Sequence, residues 1–267
     1  MDQIQAGLSV KITKTYSSEA AVKNYLVAKN YKITDHTKWY DDRTKETNLV
    51  ENYQGMEALL TETAKANLVG LDEVIVHRGE AENIRDVFKI HFKEIYDLWS
   101  TEECNILYCD LDVLFLKKAL IFNQYDFFAM FNFTDPPRTV DEHYGLEFER
   151  FFNCGIRYYP HTMKQETWDV GFEMLDNWNP DRWDSEQVIY NQMLWSQNVA
   201  PQQFYRPDLA FQMLNSNPLH QMNTDFNRIS IRDAVGVHVH GSRGSGNRLQ
   251  IMKDLLSGNF HEEVLVL

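Results

Sequence analysis

The sequence predicts an α/β fold: a mixed but mostly parallel sheet flanked by helices. Three observations carry that expectation. Apolar runs alternate with amphipathic stretches through the first half. Their order reads strand, helix, helix, strand, helix, strand. No internal repeat, low-complexity run or Gly/Ser linker interrupts them.

Taken in order, LSVKIT (8–13) alternates like a strand, and SSEAAVKNYLVAKNY (17–31) reads as a helix capped by Ser17 or Ser18. VENYQGMEALLTETAKANL (50–68) reads as a second helix despite Gly55. DEVIVHRG (72–79) reads as a short buried strand ending in a Gly turn. In ENIRDVFKIHFKEIYDLW (82–99), Ile84, Val87, Phe88, His91, Ile95 and Leu98 recur at near-helical spacing. NILYCDLDVLFLKK (105–118) is the next strand. After Leu120 the texture changes: strand-like YDFFAMFNF and RFFNCGIRYYP flank a long proline-marked loop, TDPPRTVDEHYGLEFE, expected to face a substrate. Helical HTMKQETWDVGFEMLDNW and DSEQVIYNQMLWSQ follow, and then DAVGVHVHGSRGSGNRLQIMKDLL. A single domain over 1–267, dividing loosely near residue 115, is expected.

Bulk composition narrows the function. Lys and Arg number 26 against 39 Asp and Glu, a net charge of −13, and no basic cluster offsets it, so nucleic acid is not an expected partner. No apolar window approaches the ~20 residues of a membrane span, and no basic stretch followed by an apolar one opens the chain. A soluble cytoplasmic protein is therefore expected. Cys104, Cys109 and Cys154 suit neither a disulfide framework nor a zinc knuckle.

Chemistry concentrates in four segments. Asp110 and Asp112 stand one residue apart inside an apolar stretch, where unmatched charge costs several kcal/mol. In an open sheet they fall at the carboxyl end of a strand, where ligands collect, and residues i and i+2 share a side. Both can then reach one hard cation, Mg²⁺ or Mn²⁺. His238 and His240 alternate with valines and so face one side, about 6.5–7 Å apart. The Gly/Ser turn after them carries Arg243 and Arg248, groups suited to a diphosphate. Asp184 and Gln187 match a capping box, and Glu186, Gln187 and Asn191 stand at a helix start open to a cleft. Asn153 and Gly155 interrupt an apolar strand, a sign of close approach by backbone or ligand.

These segments, in this order, resemble the GT-A glycosyltransferases, nucleotide-sugar-dependent enzymes of Rossmann-like fold with a metal-binding D-x-D. LYCDLDVLF resembles their strand-then-D-x-D segment, and FFNCGIRYY is similar to the F-N-[SAC]-G-[VI] strand that follows it. SEQVIYNQML resembles the D-Q-x-x-x-N helix start, with Glu186 in place of Asp. HVHGSRG is similar to the H-x-x-G turn whose His is the third metal ligand of retaining families. That spacing puts the ligand at His238 and the glycine at Gly241. The usual Lys-Pro-Trp is replaced by Ser242, Arg243 and Gly244, so the choice between His238 and His240 stays open.

The resemblance implies a hexosyltransferase using Mn²⁺ or Mg²⁺ and a UDP-sugar, UDP-glucose or UDP-galactose, with a carbohydrate or other hydroxyl acceptor and retention favoured. It implies metal ligation by Asp110, Asp112, His238 and His240. Donor contacts would come from Thr13, Tyr16, Arg85, Asp110, Leu111, Asn153, Gly155, Gly241, Ser242 and Arg243, and catalysis from Asp184, Glu186 and Gln187. Residues 1–115 would bind the nucleotide; 116–267 would close the metal site and take the acceptor. A haloacid-dehalogenase-type phosphatase would use Asp110 as nucleophile. Its motif continues Gly-Thr near the amino terminus, whereas Val113 and Leu114 follow here after more than a hundred residues. A non-enzymatic sugar-binding module is the third reading.

Overall fold

The computed structural model describes residues 22–34, 48–122, 128–134, 151–177, 185–197, 211–215, 234–240 and 245–259. The expected strand at 8–13 and the loop at 135–149 lie outside them. The fold is α/β, a mixed sheet flanked by helices. Strands β1 (Lys23–Ile33), β2 (Glu73–Ala81), β3 (Cys104–Cys109), β5 (Phe128–Thr134) and β6 (Phe151–Tyr159) form a sheet in the order β2-β1-β3-β6-β5. The β2-β1-β3 portion is parallel, and β6 and β5 continue it antiparallel. Strand β4 (Val113–Phe115) leaves this sheet and joins β8 (Gly236–His240) and β7 (Phe211–Asn215) in the order β4-β8-β7.

One expectation fails at β1. Residues 23–31 were expected in a helix, yet they are the middle of the parallel region. Tyr25, Leu26, Val27 and Ala28 are all buried, Leu26 and Ala28 into one core and Tyr25 and Val27 into the other. A strand covered on both faces is a continuous apolar run, which periodicity cannot separate from a buried helix. Strand β2 also departs from expectation. It is only partly buried, and it runs through Gly79 to Ala81 instead of turning there. Gly79 pairs with Tyr31 across the strands, and a Cβ on it would lie 3.0 Å from Tyr31 Cε1. The glycine makes room for a tyrosine ring.

The helices fill the two faces. Against one lie α1 (Leu49–Asn67), with Met56, Leu60 and Ala64, and α5 (Ser245–Ser257), with Leu249 and Met252; β4 and β8 add Val113, Leu114, Phe115, Val237 and Val239. Helices α1 and α5 touch so closely that a Cβ on Gly55 would stand 2.8 Å from Leu249 Cδ2. Against the other face lie α2 (Ile84–Thr101), α3 (Gln165–Asp176) and α4 (Ser185–Trp195). Their aromatic centre is Trp168, stacked on Tyr159 at 5.1 Å and edge-on to Phe92 at 5.6 Å. Cys109 and Cys104 are buried, one in each core. Among the described residues no helix is long and apolar enough to cross a membrane.

Candidate active site

Strand β3 ends at Cys109, so Asp110 and Asp112 stand in the turn that leads from it into β4, not on the strand itself. They still converge, because backbone hydrogen bonds fix the turn from both sides. Asp110 N–H donates to Gly155 O at 2.8 Å, and Val239 N–H donates to Asp112 O at 2.8 Å. The second bond, with the Val113–His238 pairing, sets His238 beside the acids. Its Nε2 lies 3.1 Å from Asp112 Oδ1 and 3.7 Å from Asp110 Oδ2. These three side chains present ligand atoms all within 4.8 Å of one another.

Gly155 is what lets them meet. A Cβ there would fall 2.3 Å from His238 Cε1 and 2.9 Å from Asp110 Oδ2, so only glycine fits the floor of this site.

Asp112 is already matched by protein cations. Its second oxygen, Oδ2, accepts from Arg248 Nη1 at 2.5 Å, and Arg248 Nη2 donates to Tyr53 Oη at 3.3 Å. Arg248 was expected in a diphosphate turn; it lies on α5 and closes the acid pair from within. Burial works against charge on His238, but the Asp112 carboxylate, which also bonds it, and Asp110 outweigh that and raise its pKa. Desolvation pushes the Asp110 carboxyl up, opposed by Lys29 and His238; with 37% of its side chain open to solvent, that rise is moderated. Burial, reinforced by the Asp110 charge, holds the Tyr108 phenol well above its ordinary value, so it stays protonated and donates to Asp110 Oδ1.

Beside the acids lies a second polar group, of which Glu186 was expected and Arg157 was not. Arg157 of β6, 1% exposed, is sandwiched between the rings of Tyr108 and Tyr190, its guanidinium carbon 3.8 and 3.5 Å from their centroids. Glu186, at the start of α4, accepts from Lys29 Nζ at 2.8 Å and lies 3.5 Å from Arg157 Nη1. Nε and Nη2 of Arg157 have no hydrogen-bond partner among the described residues. The available signal was a lone cation inside the otherwise apolar GIRYY.

Of the expected site residues, the structure therefore brings together Asp110, Asp112, Gly155 and His238, with Glu186 one layer away. Leu111 is buried in the core between the acids. Gln187 and Asn191 lie on α4, where Asn191 Nδ2 donates to Gln187 O at 2.8 Å. Arg85 lies on α2, Asn153 on β6 and His240 on β8; their side chains are outside the described structure. Thr13, Tyr16, Asp184, Gly241, Ser242 and Arg243 lie outside the described residues altogether.

No family model matches the chain, and no curated protein matches it. Among solved structures the chain is similar to the crystal structure of a glycosyltransferase involved in the glycosylation of the major capsid of PBCV-1. The two are 14% identical, with a TM-score of 0.43 over 86% of this chain and 99% of that one.

Proposed function

We propose that this chain is a metal-dependent glycosyltransferase that moves a hexose from a nucleoside diphosphate sugar, UDP-glucose or UDP-galactose, to a hydroxyl acceptor, with retention. The observation that carries the proposal is the convergence of Asp110, Asp112 and His238 over a glycine floor at the carboxyl end of β3. Two carboxylates and an imidazole are a donor set that fits Mn²⁺. Asp110 Oδ2, Asp112 Oδ1 and His238 Nε2 would hold it, while Arg248 keeps the other Asp112 oxygen and orients that carboxylate. A bound divalent ion supplies positive charge to the diphosphate as it departs. It also reconciles an anionic donor with a protein of net charge −13.

The protein's own groups then divide the remaining work. Glu186 and Gln187 at the start of α4, with Asp184 before them, are the residues nearest the transferred sugar in this reading. Lys29 and Arg157 pair with Glu186 and hold its carboxylate in place. Thr13 and Tyr16 would hold the base, and Arg85, Leu111, Asn153, Gly241, Ser242 and Arg243 the sugar and phosphates, with His240 supporting His238.

The test is binding before turnover. UDP with Mn²⁺ should raise the melting temperature together more than either alone, and Asp110→Asn should abolish that synergy. At 100 times its dissociation constant a ligand adds about 2.7 kcal/mol, well within reach of the assay. Release of UDP from UDP-glucose or UDP-galactose should follow, and Glu186→Ala/Gln187→Ala should lower turnover with UDP affinity nearly unchanged. No UDP/Mn²⁺ synergy, or hydrolysis of a generic phosphomonoester instead, would overturn the reading.

A further inference from the structure

A second cluster of metal-type donors stands on the other side of Tyr108. His77 of β2 and His91 and Glu94 of α2 present ligand atoms to one another beside the Tyr31 hydroxyl. His77 Nδ1 lies 3.4 Å from His91 Nδ1 and 3.1 Å from Glu94 Oε2, and His91 Nδ1 lies 3.8 Å from the same oxygen. Ligands about 2.0–2.1 Å from a tetrahedral zinc ion are separated by roughly 3.3 Å, so these three edges bracket that spacing.

Protons alone serve the cluster poorly. If His91 donates from Nδ1 to His77, the His77 lone pair is spent there and its 3.1 Å approach to the carboxylate is unsupported. If His77 donates instead, its single Nδ1 proton is split between Glu94 Oε2 at 3.1 Å and His91 Nδ1 at 3.4 Å. A cation satisfies all three edges at once.

The surroundings suit a metal site. Tyr31 Oη donates to Glu94 Oε2 and so orients the carboxylate. His91 is fully buried and packs on the Tyr108 ring at 5.0 Å. Glu94 keeps 35% of its side chain exposed and His77 16%, so solvent reaches the cluster.

We propose that His77, His91 and Glu94 form a second, zinc-type site that clamps α2 to the end strand β2, separate from the acid pair and chemically unlike it. Two imidazoles and one carboxylate at tetrahedral spacing favour Zn²⁺ over Mg²⁺ or Mn²⁺. The proposal does not depend on the glycosyltransferase reading.

Zinc titration of the metal-stripped full chain against a chromogenic chelator tests it. In an Asp112→Asn background, which cripples the first site, one tight equivalent of Zn²⁺ should remain. Adding His77→Gln or Glu94→Gln should weaken it at least ~100-fold, since even outer-shell losses cost ~10–100-fold. Both side chains are partly exposed, so these variants should fold, with circular dichroism as the check. Should Asp112→Asn itself unfold, His77→Gln in the otherwise unchanged chain should still lose one zinc equivalent. Co²⁺ at the site should show visible bands of tetrahedral character that His77→Gln removes. Zinc affinity unchanged by both His77→Gln and Glu94→Gln, or no tight zinc in the folded Asp112→Asn chain, would overturn the proposal.

Discussion

Replacing Gly155 by alanine is the sharpest perturbation of the acid site. The added methyl would sit 2.3 Å from His238 Cε1, and ordinary contact begins near 3.4 Å, so the imidazole must retreat by about 1 Å. It has nowhere to go, being only 1% exposed and carried on a strand paired on both sides. Overpacking of this kind costs about 1–3 kcal/mol. The retreat also breaks the 3.1 Å contact with Asp112, whose charge-assisted bond contributes about 1.5–3 kcal/mol. Because the two effects overlap, a net loss of about 2–3 kcal/mol is expected, or a fall in melting temperature of roughly 5–10 °C. In the metal-site reading, Mn²⁺ affinity should fall at least ~10-fold as well.

Gly171→Ala is the matched control. Its methyl would meet Phe92 Cζ at 2.5 Å and Met193 Sδ at 2.8 Å, far from the acids. It should lower stability by overpacking, offset by about 1 kcal/mol of helix propensity, and leave the Mn²⁺ midpoint alone. Scanning calorimetry and metal titration on both variants decide the matter. A Gly155→Ala protein that melts within about 1 °C of wild type would refute the geometry. Equal Mn²⁺ midpoints in the two variants would refute the placement of the metal.

Three further outcomes are expected. Arg248→Met should destabilise by about 3 kcal/mol in urea denaturation, because it strands Asp112 beside His238, and Arg248→Met with Asp112→Asn should be less harmful than Arg248→Met alone. Trp168→Ala should cost about 3–5 kcal/mol by emptying the aromatic centre of one core, without altering the local arrangement of the acids. A double-mutant cycle of Lys29→Met and Glu186→Gln should show coupling of about 0.5–3 kcal/mol, since the two side chains are 2.8 Å apart and mostly buried.

Much of this was legible in the sequence, and the failures have identifiable causes. The D-x-D after a buried run located the acid pair, and the valine-alternated histidines placed His238 on a strand. Helix α2 announced itself by spacing, and α1 read as a helix despite Gly55. β1 did not, because burial on both faces erases the alternation that marks a strand. Gly79 looked like a turn because its reason, the ring of Tyr31, is 48 residues away in sequence and adjacent only across the sheet. Arg248 and Arg157 were misread or passed over for the same cause: the partners of a buried cation are set by tertiary packing, and Asp112 and Tyr190 are not its sequence neighbours.

The meeting of α1 and α5 bears on when this molecule can assemble. The core beneath α1 holds Met56 and Leu60 from early in the chain and Val237, Leu249 and Met252 from nearly two hundred residues later. While a ribosome is still making the segment between them, that face of the sheet has only part of its cover. β1 likewise waits for β3, its parallel neighbour some eighty residues on. Such distant pairings slow folding, and the exposed apolar sheet face is a surface on which nascent copies can adhere. Poor recovery of truncated chains lacking α5 is the expected outcome of a core whose early and late contributors interlock.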